Sequence, residues 1–208
     1  MEYIFPETGK DPRFVHLLQQ LHKAFSVVKS GLSIWEEAIA KSQPHLKSVQ
    51  NLSEQHHCCV QAQGLGEIVQ RFPDVREKLL YKINKEIDNN MANLYKAVDV
   101  CKEVCDKVSK QCTRCQVVYN KTNEDLNMLT RRSPTCPSAV EMLEWLQDSE
   151  YLMMNQYLIR KHLLDKFSLS DRDQESVLYK QWSTEDTTLL QTIKGHLQYL
   201  EFFLEMKI

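Results

Sequence analysis

Glycine and proline are scarce, and where they are missing matters most. The chain holds five glycines and six prolines in 208 residues. No glycine falls between Gly66 and Gly195, and no proline between Pro73 and Pro134 or after Pro137. Tight hairpins lean on Gly, Asn-Gly and Asp-Gly, so this absence argues against a many-stranded sheet and for long helices. Long apolar runs are missing too: none approaches the roughly 18–20 residues that a membrane helix needs. The start, Met1-Glu2-Tyr3-Ile4-Phe5-Pro6, shows neither the charged nor the apolar stretch of a signal peptide, so a cytoplasmic and nuclear protein is expected. Charge is nearly balanced, at −2 from 26 basic and 28 acidic residues, which leaves no global field for nucleic acid and no expectation of direct DNA binding. Motifs of catalysis are absent as well. No Gly-x-Ser-x-Gly elbow, phosphate-cradling loop or dinucleotide fingerprint occurs, so neither an enzyme nor a cofactor is expected.

What is present is helical periodicity. Asp11-Pro12 supplies an N-cap and a first-turn proline. Phe14, Leu18, Leu21, Phe25, Val28, Leu32, Trp35 and Ile39 then follow at steps of four and three, the spacing of a seam against another helix. Pro44 predicts a break or kink near residues 42–44, with Leu46, Val49 and Leu52 continuing beyond it. A turn is expected near 63–73. Asp74 and Glu77 read as a capping box opening a second long helix. Its seam runs Leu80, Ile83, Ile87, Met91, Leu94, Val98, Cys101, Cys105, Val108, Cys112, Cys115 and Tyr119. A helix of that length needs its apolar face covered, so residues 12–62 are expected to fold back along it.

Residues 120–137, rich in turn formers, predict a linker. Ser138 and Glu141 form another capping box for a helix reaching about Lys166, whose apolar residues wrap around more than one face. Residues 170–182 are charged and undecided, and Ser183 is expected to cap a final helix carrying Leu189, Ile193, Leu197 and Leu200. The expected architecture is all-α. A long antiparallel helical hairpin with coiled-coil character spans 1–119, and a C-terminal helical bundle spans 138–208.

Seven cysteines are an odd number for a disulfide framework. Cys112-Thr113-Arg114-Cys115, with Cys101 and Cys105 upstream, has a zinc-like spacing, but the helical register puts all four thiols on the seam, where cysteine packs as a small hydrophobe. His56-His57-Cys58-Cys59 offers two ligands on one helix face, too few to close a tetrahedral site, and is expected at a solvated or partner-facing helix end. No metal site is expected. Arg131-Arg132 and Arg160-Lys161-His162 with Lys166 are small basic groups that could touch RNA or an acidic partner, or lie on a solvated face. Thr122, followed by Glu124 and Asp125, has the pattern an acidophilic kinase reads, which makes it a weak phosphorylation candidate.

The run Met142-Leu143-Glu144-Trp145-Leu146 cannot point Leu143, Trp145 and Leu146 in one direction on a helix. Either another helix of the chain or a partner protein must cover Trp145. Ser138-Ala139-Val140-Glu141-Met142-Leu143-Glu144-Trp145-Leu146-Gln147-Asp148 resembles the signature of the AIRIM family, ribosome maturation factors that associate with AAA+ ATPases. Gly31-Leu32, Trp35, Gln43-Pro44, Phe72-Pro73-Asp74 and Phe202-Phe203-Leu204-Glu205 are also similar to that family. The resemblance implies a non-catalytic subunit that pairs with a small helical protein, CINP, and docks on a hexamer of spermatogenesis-associated AAA+ ATPases. It further implies a role in cytoplasmic maturation of the large ribosomal subunit, reached indirectly, and in protein turnover at replicating chromatin. Trp35, Leu143, Trp145, Leu146 and Asp148 are the partner-binding candidates on this reading. The same heptads are compatible with a homo-oligomeric coiled-coil scaffold, and the basic groups with a small RNA-binding assembly factor.

Overall fold

A computed structural model describes residues 11–62, 71–122, 129–133, 136–184 and 186–205, with the backbone alone at 122, 183, 184 and 186–188. The fold is all-α. Six helices are bounded within the described residues: α1 (Pro12–Gln61), α2 (Val75–Thr122), α3 (Ala139–Asp165), α4 (Arg172–Thr184), α5 (Asp186–Tyr199) and α6 (Glu201–Glu205). The only bridge among the described residues pairs Ser133 with Cys136. No helix among them is long and apolar enough to cross a membrane. The expected turn near 63–73 lies for its greater part outside the described residues, as do residues 123–128 and 134–135 of the linker expected over 120–137.

Helix starts follow local chemistry. The Asp11 carboxylate accepts the Arg13 N–H at 2.8 Å, and Pro12 occupies the first helical position, where its missing N–H costs nothing. At α3 the capping box is complete: Glu141 N–H donates to Ser138 Oγ at 3.3 Å and Ser138 N–H to Glu141 Oε2 at 3.1 Å.

α1 continues through Pro44 as one helix rather than breaking there. Proline removes one backbone donor, but Pro44 and Ala40 both lie on the exposed side, where water can satisfy the freed carbonyl, and Ser48 Oγ donates to the Pro44 carbonyl at 3.0 Å. The undecided stretch 170–182 is the helix α4, and it continues through Ser183, so Ser183 is not a cap. Asp171 is. Its Oδ1 accepts the N–H groups of Asp173 and Gln174, both at 3.1 Å, which sets Glu175, Leu178 and Trp182 on one buried face.

Backbone neighbours divide the chain into two compact units. One comprises Met1–Glu36, Cys101–Tyr157 and Glu185–Ile208; the other comprises Glu37–Val100 and Leu158–Thr184. In the first, Leu21, Phe25, Val28 and Trp35 of α1 are fully buried together with Cys101, Val108 and Cys115 of α2 and Met142, Leu146 and Met153 of α3. Each such aliphatic side chain contributes about 1.5–3 kcal/mol relative to exposure. α1 and the end of α2 run in opposite senses here: residues 16–23 line a hollow with 113–118, whereas Gly31, further along α1, approaches Val104, further back on α2. The chain's end closes this unit. Phe203 is buried and meets His22 edge-on at 5.7 Å, and His22 Nε2 lies 3.0 Å from the Leu204 carbonyl.

In the second unit, Ile39, Leu46 and Val49 of α1, Ile83, Ile87, Leu94 and Val98 of α2, Leu163 and Leu164 of α3, and Leu178 and Trp182 of α4 are buried. A polar network holds α4 to α1. Trp182 Nε1 donates to Ser42 Oγ at 3.0 Å, Ser42 Oγ donates to the Ile39 carbonyl at 2.7 Å, and Tyr179 donates to Ser53 Oγ at 3.2 Å.

Candidate interaction surface

Of the five partner-binding candidates, three are core. Trp35 and Leu146 have no exposed surface and Leu143 is 8% exposed, so a partner cannot reach them while the first unit stays folded. Trp145 and Asp148, one helical turn apart on α3, are the two at its surface.

Helix wrap explains the split. Leu143 and Leu146 face the core, and Trp145 is turned away from it to the edge of α3. There α5 covers it in part. The indole stacks on the His196 ring at 5.1 Å between centroids with planes 8° apart, and tilts against Tyr199 at 5.8 Å. An intramolecular helix therefore covers one face of Trp145, which remains half-buried. Beside it, Tyr199 is 71% exposed; Phe202, in α6, is 64% exposed. Burial holds the His196 imidazole below the ordinary histidine pKa, with Asp148 pulling it partly back up, so the ring is neutral near pH 7. Its Nδ1 is buried and has no hydrogen-bond partner among the described residues. The result is an aromatic surface with one adjacent carboxylate, of a composition common at protein interfaces.

His196, Tyr199 and Phe202 went unread in the sequence. For the first two the signal was available: His196 and Tyr199, three residues apart, share a face of α5.

The basic groups fare differently from expectation. Arg160 is buried, with its guanidinium 5.6 Å from the Trp182 ring centroid and Nη2 donating to the Trp182 carbonyl at 3.4 Å. That removes it from any RNA-facing set, because the cation is held over the indole face. Arg132 is committed to Glu141, the Nε–Oε2 distance being 2.6 Å. The His56–Cys59 end of α1 is partly solvated, with Cys58 exposed and His57 turned towards α4. His57 Nε2 lies 3.1 Å from Glu175 of α4, with both side chains largely buried, and Cys59 is buried as well. Burial pushes the seam thiols of Cys105, Cys112 and Cys115 up to about 12, so they stay protonated at neutral pH. Thr122 closes α2, but its side chain and the acidic residues that follow lie outside the described residues.

The sequence profile described as ribosome biogenesis protein C1orf109-like matches residues 15–202. Curated proteins named AFG2-interacting ribosome maturation factor are similar along much of the chain. The Homo sapiens protein is 31% identical over 206 residues, covering 94% of this chain and 98% of its own length. The Xenopus tropicalis protein is 32% identical over 158 residues, 75% of this chain and 78% of its own. The Danio rerio protein is 26% identical over 192 residues, 91% and 95% of the two chains. The matched span runs from the first turn of α1 through α5 to the start of α6, so the chain belongs to the ribosome biogenesis protein C1orf109-like family.

Proposed function

We propose that the chain is a non-catalytic adaptor subunit of an AAA+ ATPase complex that acts in cytoplasmic maturation of the large ribosomal subunit. It pairs with a second, CINP-like helical protein and presents the pair to the ATPase hexamer, of the spermatogenesis-associated type. ATP chemistry belongs to the hexamer. The chain works in cytoplasm and nucleus, and the same complex serves protein turnover at replicating chromatin. Thr122 is a phosphorylation site of this adaptor.

Two lines of support are independent of one another. The relatives are named for interacting with AFG2 and for ribosome maturation, over most of both lengths. The single structural observation behind an adaptor is the half-covered Trp145 with exposed Tyr199 against it, an anchor and rim rather than a reaction centre. Most seam residues of α1 and α2 are already buried within the chain, which favours the adaptor over a scaffold of paired copies.

Trp145→Ala in the full chain tests the reading. Loss of the stack on His196 costs about 1–2 kcal/mol of stability by its aromatic contact and area. Recovery of the AAA+ ATPase by pull-down, normalised to folded protein, should fall about tenfold or more, as for a hot-spot aromatic. If melting collapses while recovery per folded molecule stays unchanged, Trp145 is a core residue and the surface is not the docking site.

A further inference from the structure

Within the first unit, α1 and the C-terminal part of α2 leave an open face on which two shallow hollows, of about 520 and 250 Å³, share Arg114. We propose that this face is a groove for an acidic amphipathic helix of a partner protein. It does not include Trp145 and stands whether or not the ATPase reading holds.

Three observations converge. The floor is apolar: Val27, Ile34 and Val104 line one hollow and Val117 and Val118 the other, with Ile34 42% and Val117 49% exposed. Charge is one-sided. Lys107, Lys110 and Arg114 stand on α2 at i, i+3 and i+7 with Lys23 on α1, and no aspartate or glutamate lines either hollow, although acidic residues outnumber basic ones in the chain. Lys107 reaches Glu103 only at 3.9 Å and in solvent, a pair worth little. The third observation is Gln111. It lines the smaller hollow, is 8% exposed, and its Oε1 is buried without a hydrogen-bond partner among the described residues. An unsatisfied buried acceptor is costly, and an occupant that brings a donor relieves it.

Gly31 lies in the smaller hollow: a Cβ there would come within 2.9 Å of Val104 Cγ1, so its absence keeps the floor open and the two helices close. From Val104 to Val118 the groove follows α2 for about 20 Å, or some four helical turns. Apolar side chains at i, i+3, i+4 and i+7 would fill such a floor while flanking carboxylates meet the lysines and Arg114. RNA fits less well. Its phosphates would suit the cations, but the hollows offer only His16 as a ring for bases to stack on, and the valines and Ile34 would be left uncovered.

The test places a photo-crosslinking p-benzoylphenylalanine at Ile34 of the full chain expressed in cells, with the same residue at exposed Lys102 as control, and identifies crosslinked segments by tandem mass spectrometry. The expected product is one protein segment with net negative charge and helical apolar spacing. That segment, synthesised with a fluorescent label, should bind the full chain with a Kd weakened about tenfold or more by Lys107→Glu, Lys110→Glu and Arg114→Glu together, and weakened also by salt. Circular dichroism should show the triple variant folded, since all three residues are exposed; Lys110→Gln alone provides the milder arm, with a loss of a few-fold. Crosslinks to RNA, to a neutral or basic segment, no more than at Lys102, or indifferent to the charge reversal would each overturn the proposal.

Discussion

Removing the Ser42 hydroxyl should expose how α4 is held to α1. Ser42 is 2% and Trp182 1% exposed, and the indole N–H has Ser42 Oγ as its acceptor at 3.0 Å. Ser42→Ala leaves that donor buried without a partner, which costs about 1–3 kcal/mol, or some 2–4 °C per kcal/mol for a chain of this size. Trp182→Phe instead removes the donor itself and leaves Ser42 bonded to the Ile39 carbonyl at 2.7 Å. Its cost, about 1–3 kcal/mol, comes from the smaller ring and the lost seat for Arg160. In the Trp182→Phe background, Ser42→Ala should then cost only about 0.5 kcal/mol, because no indole is left to orphan. The coupling is therefore about 0.5–2.5 kcal/mol, read from urea midpoints by far-UV circular dichroism with the m-value unchanged. Additivity within about 0.3 kcal/mol would refute the argument, since it would mean the hydrogen bond contributes nothing beyond its two side chains' packing.

The two described glycines should respond with opposite signs. Gly31→Ala gains about 1 kcal/mol of helix propensity but drives a methyl to 2.9 Å from Val104 Cγ1, so overpacking of about 1–3 kcal/mol should leave it less stable; Gly195→Ala meets nothing within 4 Å and should be stabilising by about 0.5–1 kcal/mol in a thermal melt. Thiol chemistry should be equally divided. Cys58 is the exposed cysteine, so a disulfide-exchange reagent at pH 8 should label one thiol rapidly in the native chain and all seven in denaturant, and three or more fast thiols would contradict the packed seam. The thiols of Cys105, Cys112 and Cys115 are raised from 9.0 to about 12, so between those values the unfolded chain has released protons that the folded chain still holds. Their contribution to stability is whole below pH 9 and is lost as pH rises towards 12; a stability that climbs across that range would reverse the sign of the argument.

The sequence by itself determined the fold class and the inward faces. Helix periodicity is local, so Phe14 through Ile39 and Ile83 through Cys115 could be read as seams, and the described core contains nearly all of them. Caps are local as well: Asp11 and the Ser138–Glu141 pair act within one turn of themselves. Tertiary structure decided whatever depends on which surfaces meet. Arg160 and Lys161 are neighbours in sequence, yet one is buried over Trp182 and the other exposed, because α4 lies over only one side of α3. Pro44 is tolerated since its side of α1 faces water, and no neighbouring residue announces that. Trp35 and Trp145 read alike as interface candidates, but one is sealed in the core and the other stacks on His196 at the surface. His196 lies 51 positions along the chain from Trp145, and no sequence spacing records a contact made only when distant helices pack to bury their leucines.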